Sequence, residues 1–254
     1  MGRRIVITSG KGGVGKTTVT ANLGLALAET GVGVALIDAD IGLNNLDVVM
    51  QLESRVVYDL GDVAHGACRL KQALIRDFRR ENLYLLPSSK INMDKITLSQ
   101  FSAIVSELAN MFDYVLVDSP AGIDNGFHRA VSACREALVV VTPHVGSIRD
   151  ANKVIGLLPA YGILGSGIIV NRIRKDMVAR SMMMSASEIA NLLNAPLIAK
   201  LYEDDNISLN GTANASRRGS WRSYRALACH ISGTQTPSYD PLSRKSILGW
   251  FNKK

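Results

Sequence analysis

Ile5-Val6-Ile7-Thr8-Ser9-Gly10-Lys11-Gly12-Gly13-Val14-Gly15-Lys16-Thr17-Thr18 is the stretch on which the rest of the chain can be hung. Its apolar start reads as a strand, and the segment from Thr17 onward reads as a helix. Between them, Gly10 to Thr17 fits Gly-x-x-x-x-Gly-Lys-Thr in the setting where a phosphate-binding loop must sit. Glycines let backbone amides turn inward around phosphate oxygens, and the helix amino terminus adds its positive end. Lys16 reaches the β and γ phosphates, and Thr17 offers a hydroxyl to Mg2+. Gly10, Lys11, Gly12, Gly13, Val14, Gly15, Lys16, Thr17 and Thr18 are the candidate nucleotide-binding residues of this loop.

Outward from the loop, short apolar runs recur at Ile5–Ile7, Val34–Ile37, Leu83–Leu86, Tyr114–Val117, Ala137–Val141, Ile168–Val170 and Leu197–Leu201. Consecutive rather than alternating apolar residues suit strands covered on both faces. Helices are expected within Thr17–Glu29, Thr97–Phe112, Ser147–Tyr161 and Met177–Leu193. Gly31 and Gly33 stop the first, and Thr97 to Gln100 reads as the start of a capping box. The expected fold is α/β, a single-domain P-loop NTPase with a mostly parallel twisted sheet of about seven or eight strands, helices on both faces and a C-terminal amphipathic helix. Residues 1–232 form the ATPase domain, 233–240 a linker and 241–254 an amphipathic membrane-targeting helix.

Composition agrees: 254 residues, 47% hydrophobic and 20% charged, is ordinary globular usage. Cys68, Cys134 and Cys229 are isolated and odd in number, which supports neither a disulfide framework nor a metal cage and favours a reducing compartment. Met1-Gly2-Arg3-Arg4 leads straight into Ile5, leaving no room for a signal or transit peptide, and no run reaches the length of a membrane span.

Carboxylates stand where a phosphate site needs them. Asp38 and Asp40 end the second apolar run, and Asp118 ends the fourth. Ligands of open α/β sheets lie off the carboxyl ends of strands, so all three can converge on the loop, although strand-end aspartates also cap turns. Asn171 follows Ile168–Val170 and offers both a donor and an acceptor to a base edge, or to a turn.

Lys11, a second lysine inside the loop, narrows the class: Lys11-Gly-Gly-Val-Gly-Lys-Thr-Thr18 resembles the deviant Walker A motif of the MinD/ParA ATPases. Asp38-Ala-Asp40-Ile-Gly-Leu-Asn-Asn-Leu-Asp47, Asp118-Ser-Pro-Ala-Gly-Ile-Asp124, Ser147-Ile-Arg149-Asp150 and Val170-Asn-Arg172 are similar to the MinD branch, the regulators of division-site (septum) placement. The resemblance implies an ATP-bridged homodimer in which Lys11 contacts the partner subunit's nucleotide. It implies catalytic roles for Lys11, Lys16 and Asp40, with Asp40 positioning the attacking water and Asp38 supporting the site. Asp118 would hold Mg2+ through water, and Asn171 and Arg172 would lie near adenine. Further implications are a slow ATPase, a MinE-type activator contacting the helix opened by Ser147, Arg149 and Asp150, a MinC-type division inhibitor, and a cytoplasmic or plastid-stromal protein peripheral on the inner membrane face. Leu201-Tyr202-Glu203 departs from the apolar-Pro-Glu turn usual in the family, and Asn206 to Ser223 is unusually rich in Ser, Asn and Arg.

The net charge of +7 is localised: beyond Asp205 there are eight basic residues and one acid, which leaves 21 of each sign in residues 1–205. In Pro241–Lys254, helical spacing gathers Ile247, Leu248, Trp250 and Phe251 on one face, with Lys245 and Lys253 opposite and Arg244 and Lys254 snorkelling. Such a helix lies in the headgroup plane of an anionic membrane surface. Burying its four large apolar side chains contributes at most roughly 6–12 kcal/mol, its cations about 1 kcal/mol each, and ordering its backbone costs on the order of 12 kcal/mol. One copy is marginal, and a dimer carries two. Two alternatives stay open for this segment: docking on the protein's own core, and a basic nucleic-acid contact. The latter belongs to a ParA-like DNA-partition ATPase using Arg217, Arg218, Arg222 and Arg225, whereas the leading reading involves no nucleic acid.

Overall fold

The computed structural model describes residues 1–40, 45–89, 96–163, 165–204 and 220–234. In chain order the elements are β1 (Arg3–Thr8), α1 (Lys16–Ala28), β2 (Val34–Asp38), α2 (Leu46–Met50), α3 (Leu60–Ala64), α4 (Leu70–Ala73), β3 (Ile75–Arg76), β4 (Leu83–Leu86), α5 (Leu98–Met111), β5 (Tyr114–Asp118), α6 (Asn125–Ser132), β6 (Glu136–Val141), α7 (Val145–Leu157), β7 (Ser166–Ile173), α8 (Lys175–Ala179), α9 (Ala186–Leu193), β8 (Leu197–Tyr202) and α10 (Ser220–Ser232). The sheet runs β3-β4-β2-β5-β1-β6-β7-β8. Every pairing is parallel except the two-residue edge strand β3, which runs antiparallel to β4.

The sheet is buried on both sides because its apolar runs are continuous. In β1, Val6 faces the layer of α5, α6, α7 and α9, while Ile5 and Ile7 face α1 and α10. The same division splits Ala35 and Ile37 from Val34 and Leu36 in β2, and Val139 and Val141 from Leu138 and Val140 in β6. Alternate residues of one strand therefore serve two cores.

All seven expected strands form, and the edge strand β3 makes eight among the described residues. The capping box of α5 is present: Gln100 N donates to Thr97 Oγ1 and Thr97 N donates to Gln100 Oε1. The stretch Met177–Leu193, expected as one helix, is two. Ser181 lies in the left-handed region at φ 57, and Ser185 with Glu188 opens α9 as a fresh capping box. A chain that satisfies amides by a new cap does not continue the old helix.

α10 follows α1, tied at its start by Ser220 Oγ donating to Asp204 Oδ2 at 2.8 Å and at its end by Arg3 donating to the Ile231 carbonyl. It thus runs from the carboxyl edge of the sheet to the amino edge. Among the described residues, no helix is long and apolar enough to cross a membrane. The linker beyond Thr234 and the 241–254 segment, with Ile247, Leu248, Trp250 and Phe251, lie outside the described residues, as do Arg217 and Arg218.

Candidate nucleotide site

β1 delivers the chain to the carboxyl edge, and the loop turns there because Gly13 (φ 74) and Gly15 (φ 96) take left-handed conformations. Gly15 is the N-cap of α1 and supplies no side-chain cap, so the first amides of α1 remain available to an anion. Ser9 braces the turn: its Oγ donates to the Lys11 carbonyl at 2.8 Å, and its own carbonyl accepts from Gly122 N at 3.1 Å. α7 lies against the loop with no slack. A Cβ on Gly10 would fall 2.3 Å from the Asp150 carbonyl carbon and oxygen.

The three aspartates arrive as the strand ends dictate. Asp38 and Asp118 are paired in the β2–β5 register, and Ile7 of β1 pairs with Asp118 on its other side. Asp38 is buried, accepting from Asp40 N through Oδ1 at 3.0 Å and from Leu46 N through Oδ2 at 3.1 Å. Burial, then the neighbouring Asp118, push its carboxyl up to about 8, against those amides. Asp118 is fully buried, and desolvation lifts it to about 7 although Thr17, Lys16 and Thr20 pull it down. Asp40 is half-buried and also raised by burial, opposed by Lys16. Lys16 is 6% exposed; desolvation lowers it, and Asp118 and Asp40 hold it up. Lys16, Asp40 and Asp118 thus act on one another electrostatically within a small buried volume.

Thr20, one turn beyond Lys16 on α1, is a site residue the sequence reading missed. Its hydroxyl lies 3.0 Å from the Lys16 carbonyl and 3.2 Å from Asp118 Oδ1, and its single proton can go to one of them at a time. The other oxygen, Asp118 Oδ2, is buried with no hydrogen-bond partner. An orphaned oxygen on a carboxylate that the Thr17 hydroxyl also acts on, among three acids raised by burial, fits a divalent cation. Among the described residues no three His, Cys, Asp or Glu gather tightly enough to hold a metal alone. The remaining ligands of such an ion would have to be phosphate oxygens and water, as suits Mg2+.

Lys11 is exposed, and its Nζ lies 3.6 Å from where a Cβ on Gly146, at the start of α7, would stand. Ser147 is buried and accepts from Thr142 N at 3.0 Å, so of the three residues expected to open a partner-binding helix only Arg149 is exposed. Asn171 is also buried, and its Nδ2 donates to the Val14 carbonyl at 2.9 Å. Arg172 is exposed at φ 58, where the β7–β8 register shifts between Val170 and Ile173.

Comparison with known proteins agrees with this geometry. Residues 5–214 match the family model described as the CobQ/CobB/MinD/ParA nucleotide binding domain. The septum site-determining protein MinD of Synechocystis is 48% identical over 211 residues, 83% of this chain and 79% of that one. The MinC:MinD cell division protein complex of Aquifex aeolicus superposes with a TM-score of 0.86 at 43% identity, covering 94% of this chain and 98% of that one. The septum site-determining protein MinD complexed with Mg-ADP from Pyrococcus horikoshii gives 0.80 at 30% identity, over 91% and 96%. A buried lysine, three strand-end aspartates and an uncapped helix start are thus set in a chain that belongs to the MinD/ParA family of nucleotide-binding proteins, in its MinD branch.

Proposed function

We propose that this chain is a septum site-determining ATPase that dimerises around ATP, resides on an anionic membrane while ATP is bound, and returns to solution as an ADP monomer. The observation that carries the reading is the convergence of Lys16, Asp40 and Asp118 on the uncapped start of α1. Phosphoryl transfer asks a protein for positioning and charge stabilisation, and those are what this constellation supplies. The α1 amides and Lys16 hold the phosphates. Thr17 directly, and Asp118 through water, would hold Mg2+, which when bound neutralises charge on the phosphate oxygens. Asp40, half-buried and within the field of Lys16, orients the attacking water. Exposed Lys11 is available to reach the phosphates of a second copy, and until it does the site lacks one cation, so an isolated subunit is expected to hydrolyse slowly.

The membrane anchor is the 241–254 helix, with Ile247, Leu248, Trp250 and Phe251 inserted. A MinE-type activator and a MinC-type inhibitor are the proposed protein partners; the latter is supported by the likeness to the MinD of the Aquifex complex. DNA partition is less well supported, since Arg225 of its basic patch stands 3.6 Å from Glu29. Sedimentation with anionic liposomes tests the proposal. Pelleting with ATP and release with ADP is the expected result, and equal pelleting with both nucleotides refutes the cycle. A gel shift on duplex DNA, with no pelleting on liposomes, would favour the partition reading instead.

A further inference from the structure

We infer that Asn171 is a positioning residue that sets the shape of the phosphate loop, whatever base the nucleotide carries. The inference rests on the nucleotide-site reading above and concerns what this side chain does within it. Asn171 reaches the loop from 157 residues away and donates to the Val14 carbonyl from a buried position. The same Nδ2 stands 2.5 Å from where a Cβ on Gly15 would be, so the carboxamide lies directly on the Val14–Gly15 peptide. That peptide leads into the left-handed Gly15 and then into Lys16. Fixing its carbonyl fixes the direction of the next amides, which are the ones an anion would meet. The opposite amide orientation would set two oxygens against each other, so the donor assignment is determined by the partner.

The strand is shaped for this task. β7 breaks register with β8 just past Val170, and Arg172 takes φ 58, a conformation an arginine rarely adopts. Such strain persists where surrounding contacts over-determine it. Here it accompanies a polar side chain kept inside, on the loop, while its neighbour Arg172 points to solvent.

The test separates phosphate from base. ATP, GTP and inorganic tripolyphosphate are titrated calorimetrically, with Mg2+ present, into the full chain and into Asn171→Ala and Asn171→Asp. The expected result is a common loss for all three ligands of about tenfold in Asn171→Ala, the scale of one buried hydrogen bond. The ATP-to-GTP ratio should hold, and amide exchange should quicken at residues 14–17 more than across the rest of the sheet. Asn171→Asp, almost the same shape but with an oxygen facing an oxygen, should lose at least as much; it carries the test if the alanine variant fails to fold. Unchanged tripolyphosphate affinity with a collapsed ATP preference overturns the inference and makes Asn171 a base reader. A parent chain that binds none of the three ligands overturns the nucleotide reading itself.

Discussion

Replacing Thr20 with valine removes one hydroxyl and almost no volume, and the two consequences fall on different observables. In the ligand-free site Asp118 is pushed up to about 7, so near neutrality much of it is protonated and the Thr20 proton can stay with the Lys16 carbonyl. Folding therefore loses little, and the added methyl is apolar in a fully buried position. In the role proposed for it Asp118 would hold Mg2+ as the carboxylate, and the Thr20 donor on Oδ1 would then support that charge while the unpartnered Oδ2 is left for the metal's water. A hydrogen bond to a charged group contributes about 1.5–3 kcal/mol, which is roughly 10–100-fold in affinity, the range typical for outer-shell partners of metal ligands. Titrating Mg2+ against ATP hydrolysis, with thermal unfolding alongside, should show half-saturation raised by that factor and a midpoint moved by only a few degrees. Thr20→Ser should restore the Mg2+ response. An unchanged Mg2+ titration in a destabilised Thr20→Val protein would refute the reasoning, leaving Thr20 a hydroxyl that serves its own helix.

Lys11→Ala should leave ATP binding by the monomer intact while abolishing ATP-dependent dimers in size-exclusion chromatography, because its ammonium is exposed rather than built into its own site. Gly10→Ala forces a Cβ onto the Asp150 carbonyl, so a loss of about 1–3 kcal/mol in chemical denaturation is expected, with weakened nucleotide binding. For pH, Asp38 and Asp118 have folded values near 8 and 7, raised from 3.8, so the native state binds more protons than the unfolded one between those limits. Stability without ligand should fall as pH rises from about 4 to 8. Mg2+ with nucleotide should flatten that slope and release protons on binding, seen as a buffer-dependent calorimetric heat. Lys16, buried beside Asp40 and Asp118, is the cation that opposes this loss.

The parts legible in the sequence are those written locally. Seven strands follow from runs of Val, Ile and Leu, the loop from glycine spacing ahead of Lys16 and Thr17, and the aspartates from their place at strand ends. Helices α2, α3 and α4 span four or five residues, too few for a helical period to emerge, and β3 has two. The break between α8 and α9 is marked by Ser185-Ala-Ser-Glu188, the same box as at Thr97, but the apolar spacing runs across it. Thr20 was within reach, since four residues after Lys16 is one helical turn on the same face. The seats of Asn171 on Val14 and of Asp150 against Gly10 join distant segments, and no local pattern encodes them.

α10 ends where β1 begins, with Arg3 bound to the Ile231 carbonyl, while the phosphate loop begins where β1 stops. A strand of six residues, about 20 Å at the usual rise, separates the two poles. The end of α10 therefore stands at the pole opposite the phosphate loop, with a whole strand between them. In the cycle proposed above, news of hydrolysis then reaches the lipid as a change in headcount: two tethers held together, or one let go.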